Sequence, residues 1–190
     1  MFEMRDGTPF FILNDYDLVS RESFKDEKAT PSSKRRTGTL PFMPCEVLAD
    51  LGKVNRNGSP FIPHILRYDF ESLYWVSLWC SMTMEAVRDP ALKQAIKTTL
   101  SEWEIGSFKQ IASSKAELIR VPLAVKALPI TPLYMPCINW LFSWAKLLMR
   151  ADVKRNEHLV QVDQGLDINP MDLETIDGII TKGSILKAIG

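Results

Sequence analysis

One run near residue 70 limits the possible folds more than any other part of the sequence. If this run is a helix beginning near Asp69, large apolar side chains fall on nearly every face of it. These side chains are Phe70, Leu73, Tyr74, Trp75, Val76, Leu78, Trp79, Cys80 and Met82. A helix of a soluble protein that is apolar all round has to be surrounded by other elements. We therefore predict a central helix here, with the rest of the domain packed around it.

Further helices follow the central one along the chain. The pair Asp89-Pro90 is typical of a helix start, because aspartate caps free backbone N–H groups and proline fits the first turn. A second helix is predicted after Gly106 and an apolar third one over 138–149, with four prolines between them in 122–136. Residues 172–190 predict two short helical pieces. The expected fold class is mainly α, or α+β when the N-terminus is included.

The N-terminus predicts a short β-hairpin. Asp6-Gly7 is a turn signal between residues 1–5 and the apolar run 9–13. The following residues, 20–36, are polar and rich in lysine and arginine, which is typical of an exposed loop.

Composition and charge exclude several classes of function. The 190 residues contain 23 Lys and Arg against 23 Asp and Glu, so the chain lacks the positive charge that nucleic-acid and anionic-membrane binders use. Every apolar run is shorter than the roughly 20 residues of a membrane span, and the N-terminus has no secretory pattern. The three cysteines are far apart in sequence. We expect one intracellular domain, cytoplasmic or nuclear, with neither nucleic acid nor membrane as a partner.

Three segments in a fixed order carry a family resemblance. They are residues 12–18, 36–48 and 67–76. In this order they resemble the C-terminal lobe of the fungal-type protein kinase family, and the resemblance continues through Trp103 and Lys115 to residues 174–178. It implies that residues 1–190 form a partial protein kinase-like domain, without the small lobe and the catalytic loop.

The first segment resembles a metal-binding motif. Asp15 stands where kinases keep the aspartate of the D-F-G motif, which holds Mg²⁺ on the phosphates of ATP, and the motif here reads Asp15, Tyr16, Asp17. Without the family pattern, Asp15 and Asp17 would simply cap a strand and begin a turn. The resemblance implies ATP and Mg²⁺ as cofactors of the full-length enzyme. This chain alone is expected to bind neither.

The second segment resembles the end of an activation segment, which would span residues 20–48. Its matching residues are Thr37, Gly38, Thr39 and Glu46. Glu46 closes the triplet Pro44-Cys45-Glu46, which takes the place of the A-P-E motif, and the family implies that it pairs with an arginine. The sequence leaves open which arginine that is. The basic run 34–36 could partner a phosphate on the segment, or it is a solvated loop or a weak nuclear-import patch.

The third segment opens the central helix. Asp69 matches the aspartate that braces the backbone of the catalytic loop in kinases, a structural role. A carboxylate in the first turn also suits the positive end of the helix dipole.

The sequence lacks the motifs that carry phosphoryl transfer. It contains no G-x-G and no H-R-D-x-x-x-x-N. The similar triplets fail, because Phe11 stands at the asparagine position after Asp6, and Tyr74 stands there after Asp69. We expect no catalytic residue in this chain, and whether the chain is an enzyme is open.

Two functions of different classes therefore remain open. In one, the chain is the large lobe of a serine/threonine protein kinase, as a fragment, a truncated gene product or part of a longer enzyme. In the other, it is a non-catalytic pseudokinase or interaction module that binds an unidentified protein. An unrelated helical domain is a third alternative, and it would lack the central helix. We also expect an exposed apolar surface, and association through it, where a small lobe would pack.

Overall fold

The structure, a computed structural model, describes residues 2–5, 8–11, 39–52 and 65–189. The strands belong to a first unit, residues 1–37, and the helices belong to a second unit, residues 38–190. In the first unit, β1 (Phe2–Arg5) pairs antiparallel with β2 (Thr8–Phe11). The predicted turn at residues 6 and 7 lies outside the described residues, so the hairpin as a whole stays a prediction.

The described residues of the second unit are mainly helical, which confirms the mainly α fold class. The helices are α1 (Cys45–Leu51), α2 (Leu66–Thr83), α3 (Pro90–Glu104), α4 (Phe108–Arg120), α5 (Ile138–Asp163) and α6 (Lys182–Ile189). Within the described residues, three short 3₁₀-helices occur over Leu40–Phe42, Pro122–Ala127 and Pro132–Cys137. The last two begin at prolines, since proline needs no N–H partner at the start of a helix.

Capping residues explain where α3 and α4 begin. The Asp89 side chain accepts a hydrogen bond of 2.9 Å from the N–H of Ala91, which confirms the predicted start of α3. The Ser107 hydroxyl accepts one from the N–H of Gln110, and the Gln110 side chain accepts one in return from the N–H of Ser107. This reciprocal pair satisfies two N–H groups that a helix start leaves open. Gly106, at φ +139°, provides the turn between the helices.

The main core lies between α2 and α5. Tyr74 and Trp75 of α2 are fully buried, and the Tyr74 ring lies 5.7 Å from the ring of Trp144 on α5. The Trp75 ring packs edge-on against Trp103 of α3 at 5.4 Å. These aromatic contacts join three helices through large apolar surfaces.

The prediction that α2 is buried on every face is wrong. Its buried residues recur at helical spacing along one side and are Tyr68, Glu71, Tyr74, Trp75, Leu78, Ser81 and Met82. Leu73, by contrast, is 51% exposed. The described elements cover one side of the helix, so the apolar character of its other side does not lead to burial there.

A second, smaller apolar cluster lies apart from the main core. It consists of Met43 and Leu48 at the start of the unit and of Ile111 and Ala112 on α4. The start of the unit therefore packs on α4 through a small core of its own. None of the helices in the described part of the chain is long and apolar enough to cross a membrane.

Leu141→Ala should lower the free energy of unfolding by about 2 to 5 kcal/mol, because Leu141 is fully buried and its loss leaves a cavity. Leu123→Ala is the matched control, since Leu123 is 65% exposed and should change stability by no more than about 0.5 kcal/mol. Urea denaturation followed by tryptophan fluorescence measures both. Equal losses for the two variants would contradict the position of the core.

Candidate functional site

The candidate site is the stretch 41–46, which leads into the first turn of α1. Several of its residues are held by side chains from other helices. The Phe42 ring, for example, packs edge-on against Trp79 of α2 with ring centroids 5.5 Å apart. The stretch is thus positioned by a set of separate contacts.

Glu46 lies at the centre of an ion-pair cluster. Its Oε2 is 2.6 Å from Nη2 of Arg67 on α2 and 2.7 Å from Nη1 of Arg155 on α5. The carboxylate therefore joins α1, α2 and α5. Its position in the first turn of α1 also suits the positive end of that helix.

The two arginines are themselves held in place. Nη2 of Arg155 lies 3.1 Å from Oδ1 of Asp152, and Nε of Arg67 donates a hydrogen bond of 2.7 Å to the carbonyl of Leu173. Burial alone would lower the pKa of Arg155, but the Glu46 and Asp152 carboxylates outweigh it and raise that pKa. Both guanidinium groups therefore reach Glu46 from fixed positions.

Glu71 caps α1 from a neighbouring helix. The residue before α1 is Pro44, whose side chain offers no cap. Oε1 of Glu71, on α2, accepts hydrogen bonds from the N–H of Cys45 at 2.7 Å and from Nε1 of Trp75 at 3.0 Å. Glu71 is only 9% exposed, so its carboxylate needs these donors. Burial, and then the Glu71 carboxylate, raise the pKa of the Cys45 thiol well above its usual value, which keeps the thiol protonated.

Lys115 reaches the same stretch from α4. Its side chain is completely buried, and its Nζ donates a hydrogen bond of 3.0 Å to the carbonyl of Pro41 and a second one to the carbonyl of Met43. The Nζ also lies 4.4 Å from the centroid of the Trp75 ring, in a cation–π contact. Burial lowers the pKa of Lys115 to about 8, although the nearby Cys45 and Glu71 oppose the shift.

A cavity of about 60 Å³ lies beside these groups. Its lining includes Cys45, Glu71, Ile119, Arg155 and Ile180. A cavity of this size accommodates one or two water molecules, and the polar groups in its lining could bind them. It is far smaller than the roughly 300 Å³ at which small-molecule pockets begin, so it does not hold a nucleotide.

Some of the predicted site residues fall in the described part of the chain, and others do not. Outside it lie Asp15, Tyr16, Asp17, Thr37 and Gly38. The metal site and the start of the activation-like segment therefore stay predictions. Thr39 is exposed and precedes the first 3₁₀-helix, where its carbonyl accepts a hydrogen bond of 2.8 Å from the N–H of Phe42. Asp69 lies in the first turn of α2, as predicted, with an exposed side chain.

The structure brings in residues to which sequence reasoning gave no role. Arg155 is the arginine from α5 that pairs with Glu46, and no local pattern indicates it, because 109 positions separate the two residues. Lys115 and Glu71 do carry a signal, since each interrupts the buried stripe of its own helix. A charge at a core position of an amphipathic helix requires a buried partner. Among the described residues, no group of three or more His, Cys, Asp or Glu could hold a metal ion.

Comparison with known proteins shows a relationship with one family. The family model described as fungal protein kinase matches residues 3–81 of this chain. The match includes Asp15, Glu46 and Asp69, and it covers less than half of the 190 residues, so it stops short of the resemblance predicted up to residue 178. No curated protein and no solved structure matches the chain.

Glu46→Gln should lower the free energy of unfolding by about 1 to 3 kcal/mol, because two arginines then lose the charge of their shared carboxylate. Glu117→Gln, at an exposed position of α4, is the matched control and should change stability little. Chemical denaturation at neutral pH measures both variants. A loss no greater than that of the control would show that the cluster is not an anchor.

Stability should also depend on pH through Lys115. Between its pKa of about 8 in the folded chain and its usual value of 10.5, the unfolded chain holds more protons at this residue, so this contribution to stability rises with pH. Cys45, Tyr68 and Tyr74 act in the opposite direction at higher pH, because burial raises the pKa of each of them. The difference between wild type and Lys115→Met isolates the lysine.

We expect this difference in unfolding free energy to increase by about 1 kcal/mol between about pH 7.5 and about pH 9. Urea denaturation of both proteins at the two pH values measures it. A difference that stays constant or falls would mean that the pKa of Lys115 is not lowered in the folded chain.

Proposed function

We propose that the helical unit is the large-lobe scaffold of a fungal-type protein kinase, an enzyme that transfers phosphate from ATP to serine or threonine of a protein. In this proposal, residues 20–48 are the activation segment, and the described stretch 41–46 is the end that the scaffold holds in place. The relationship with the fungal protein kinase family over residues 3–81 supports this assignment.

The observation that carries the proposal is the position of Glu46. The resemblance implied that the last residue of Pro44-Cys45-Glu46 pairs with an arginine, without indicating which. Glu46 contacts Arg155 of α5 at 2.7 Å, and Arg67 of α2 as well. An ion pair between residues 109 positions apart anchors the end of the segment to the body of the unit, as the proposed role requires.

For the full-length enzyme we propose Asp15 as a ligand of Mg²⁺, with Tyr16 and Asp17 completing the motif. A carboxylate is the kind of ligand that Mg²⁺ takes together with phosphate oxygens. Asp69 would brace the catalytic loop from the start of α2. Both roles are supported by the family match, which includes these residues.

The 190-residue chain alone is proposed to be inactive. Phosphoryl transfer depends on several positioned groups acting together, and this sequence contains no H-R-D-x-x-x-x-N. One metal-binding aspartate does not replace them. ATP and Mg²⁺ are accordingly proposed for the full-length enzyme and not for this chain by itself.

A non-catalytic role in binding another protein is the second candidate. It is favoured by apolar side chains on the 3₁₀-helices between α4 and α5, where Leu123 and Leu133 are each 65% exposed. Such side chains could bind a partner protein or a second copy. The three unpaired cysteines suit an intracellular compartment, cytoplasmic or nuclear, for either candidate.

Phosphoryl transfer from Mg-ATP to a generic protein substrate tests the proposal in two steps. The 190-residue chain alone should incorporate no phosphate. A longer product of the same reading frame, extended upstream to include an H-R-D-x-x-x-x-N loop and a small lobe, should be active. Asp15→Asn should abolish that activity, whereas Asp163→Asn, at an exposed position of α5, should leave it unchanged.

Transfer by the short chain, lost in Asp15→Asn, would contradict the proposed inactivity. A stop codon directly upstream in frame, or an inactive extended protein, would contradict the kinase proposal and favour the binding module.

A further inference from the structure

Residues 40–51, which we call the docked segment, pack on α4 through an apolar cluster of their own. In this cluster Met43 and Leu48 meet Ile111 and Ala112 of α4, apart from the main core, and Pro41 and Val47 of the segment are buried as well. Proteins open locally in contiguous units at free energies below that of global unfolding. A segment with a small core of its own is suited to be such a unit.

Polar contacts supply the rest of the attachment, and Lys115 occupies their centre. Its Nζ binds the carbonyls of Pro41 and Met43, both within the docked segment, and its position on α4 lies between buried Ala112 and Ile119. A buried ammonium needs acceptors, because its transfer out of water is costly. The hydrogen-bond acceptors of the Lys115 ammonium in the described residues both belong to the docked segment.

We propose that Lys115 and these two carbonyls form a latch, through which the docked segment is held on α4 or released as a unit while the main core stays folded. Release returns the ammonium to water and removes its two acceptors at the same time. Burial of Lys115 and attachment of the segment are thus one event. A buried ammonium that loses its acceptors is costly, which favours exposure of Lys115 together with release of the segment.

The latch itself depends only on the geometry of the described residues, and its regulatory meaning rests on the proposed function. If residues 20–48 form an activation segment, the latch controls whether the end of that segment is ordered. Order and disorder of such segments is a general means of switching. Glu71 of α2 binds the segment at Cys45, and Arg67 of α2 and Arg155 of α5 bind it at Glu46; these contacts would re-form when the segment docks again.

Hydrogen exchange measured by mass spectrometry tests the latch in the full 190-residue chain. Lys115→Met should raise the exchange rate of the amides of residues 48–51 at least about tenfold, because two carbonyls lose their donor. The exchange rate of amides in 141–151 of α5 should stay the same. Lys109→Met, at an exposed position of α4, is the matched control and should change neither rate.

Each outcome of this experiment decides the question. Equal acceleration in α1 and α5 would show that Lys115 belongs to the core as a whole, and no acceleration would show that its hydrogen bonds do not hold the segment. Measurement of these exchange rates involves neither ATP nor catalysis. A negative result for the latch is therefore distinct from failure of the kinase proposal.

A second measurement needs no variant and covers the case in which Lys115→Met does not fold. An N-hydroxysuccinimide ester of acetate labels exposed amines of the wild-type chain, and peptide mass spectrometry reports the label at Lys115. The latch predicts that the labelling rate of Lys115 is lower than that of Lys109 but higher than the unfolding rate of α5. The slowest-exchanging amides of α5 report that unfolding rate. Labelling of Lys115 only at the rate of global unfolding would overturn the proposal.

Discussion

The arrangement of the start of the helical unit depends on one requirement, that a fully buried ammonium group be hydrogen-bonded. Lys115 is completely buried, and its Nζ meets this requirement through the carbonyls of Pro41 and Met43. Those carbonyls belong to a stretch without regular α-helical bonding, so the lysine supplies them with a hydrogen-bond donor. The same requirement, with opposite charge, applies to Glu71, whose carboxylate binds the N–H of Cys45. Two buried charges on α2 and α4 thereby fix the backbone that leads into α1.

The Glu46 cluster adds an attachment of a different kind. Its side chains are partly exposed, 26% for Glu46 and 23% for Arg155, so the attraction between them is weaker and more sensitive to salt than one in the core. The cluster does, however, connect α1 to both α2 and α5. Glu71 reaches the start of α1 from α2 alone, and Lys115 reaches residues 41 and 43 from α4. The stretch 41–46 is thus held near its middle by groups shielded from solvent and at its end by groups in contact with solvent. Such an attachment holds residues 41–45 firmly, while the contact at Glu46 still responds to solvent and salt.

Sequence reasoning succeeded where local chemistry decides the structure. The start of α3 follows from Asp89 and Pro90, and the turn before α4 follows from Gly106, because capping and backbone freedom act within a few residues. It was wrong about the burial of α2, since Leu73 is half exposed. Apolar character on every face shows what a helix could bury, but the elements that pack against it decide what it does bury. The arginine partners of Glu46 were equally beyond reach, because long-range contacts leave no trace in local spacing.

By itself, the sequence determined the helical class, the order of the four helices α2 to α5, and the succession of segments that relates the chain to fungal protein kinases over residues 3–81. Lys115 and Glu71 each interrupt a buried stripe, but sequence reasoning gave neither of them a role. Only the tertiary structure decided that these charges meet the backbone of residues 41–45 and that Glu46 joins Arg67 and Arg155. The physical reason is that helix propensity and capping are local, whereas the pairing of a buried charge depends on which distant groups the packing of the whole unit brings within hydrogen-bond distance.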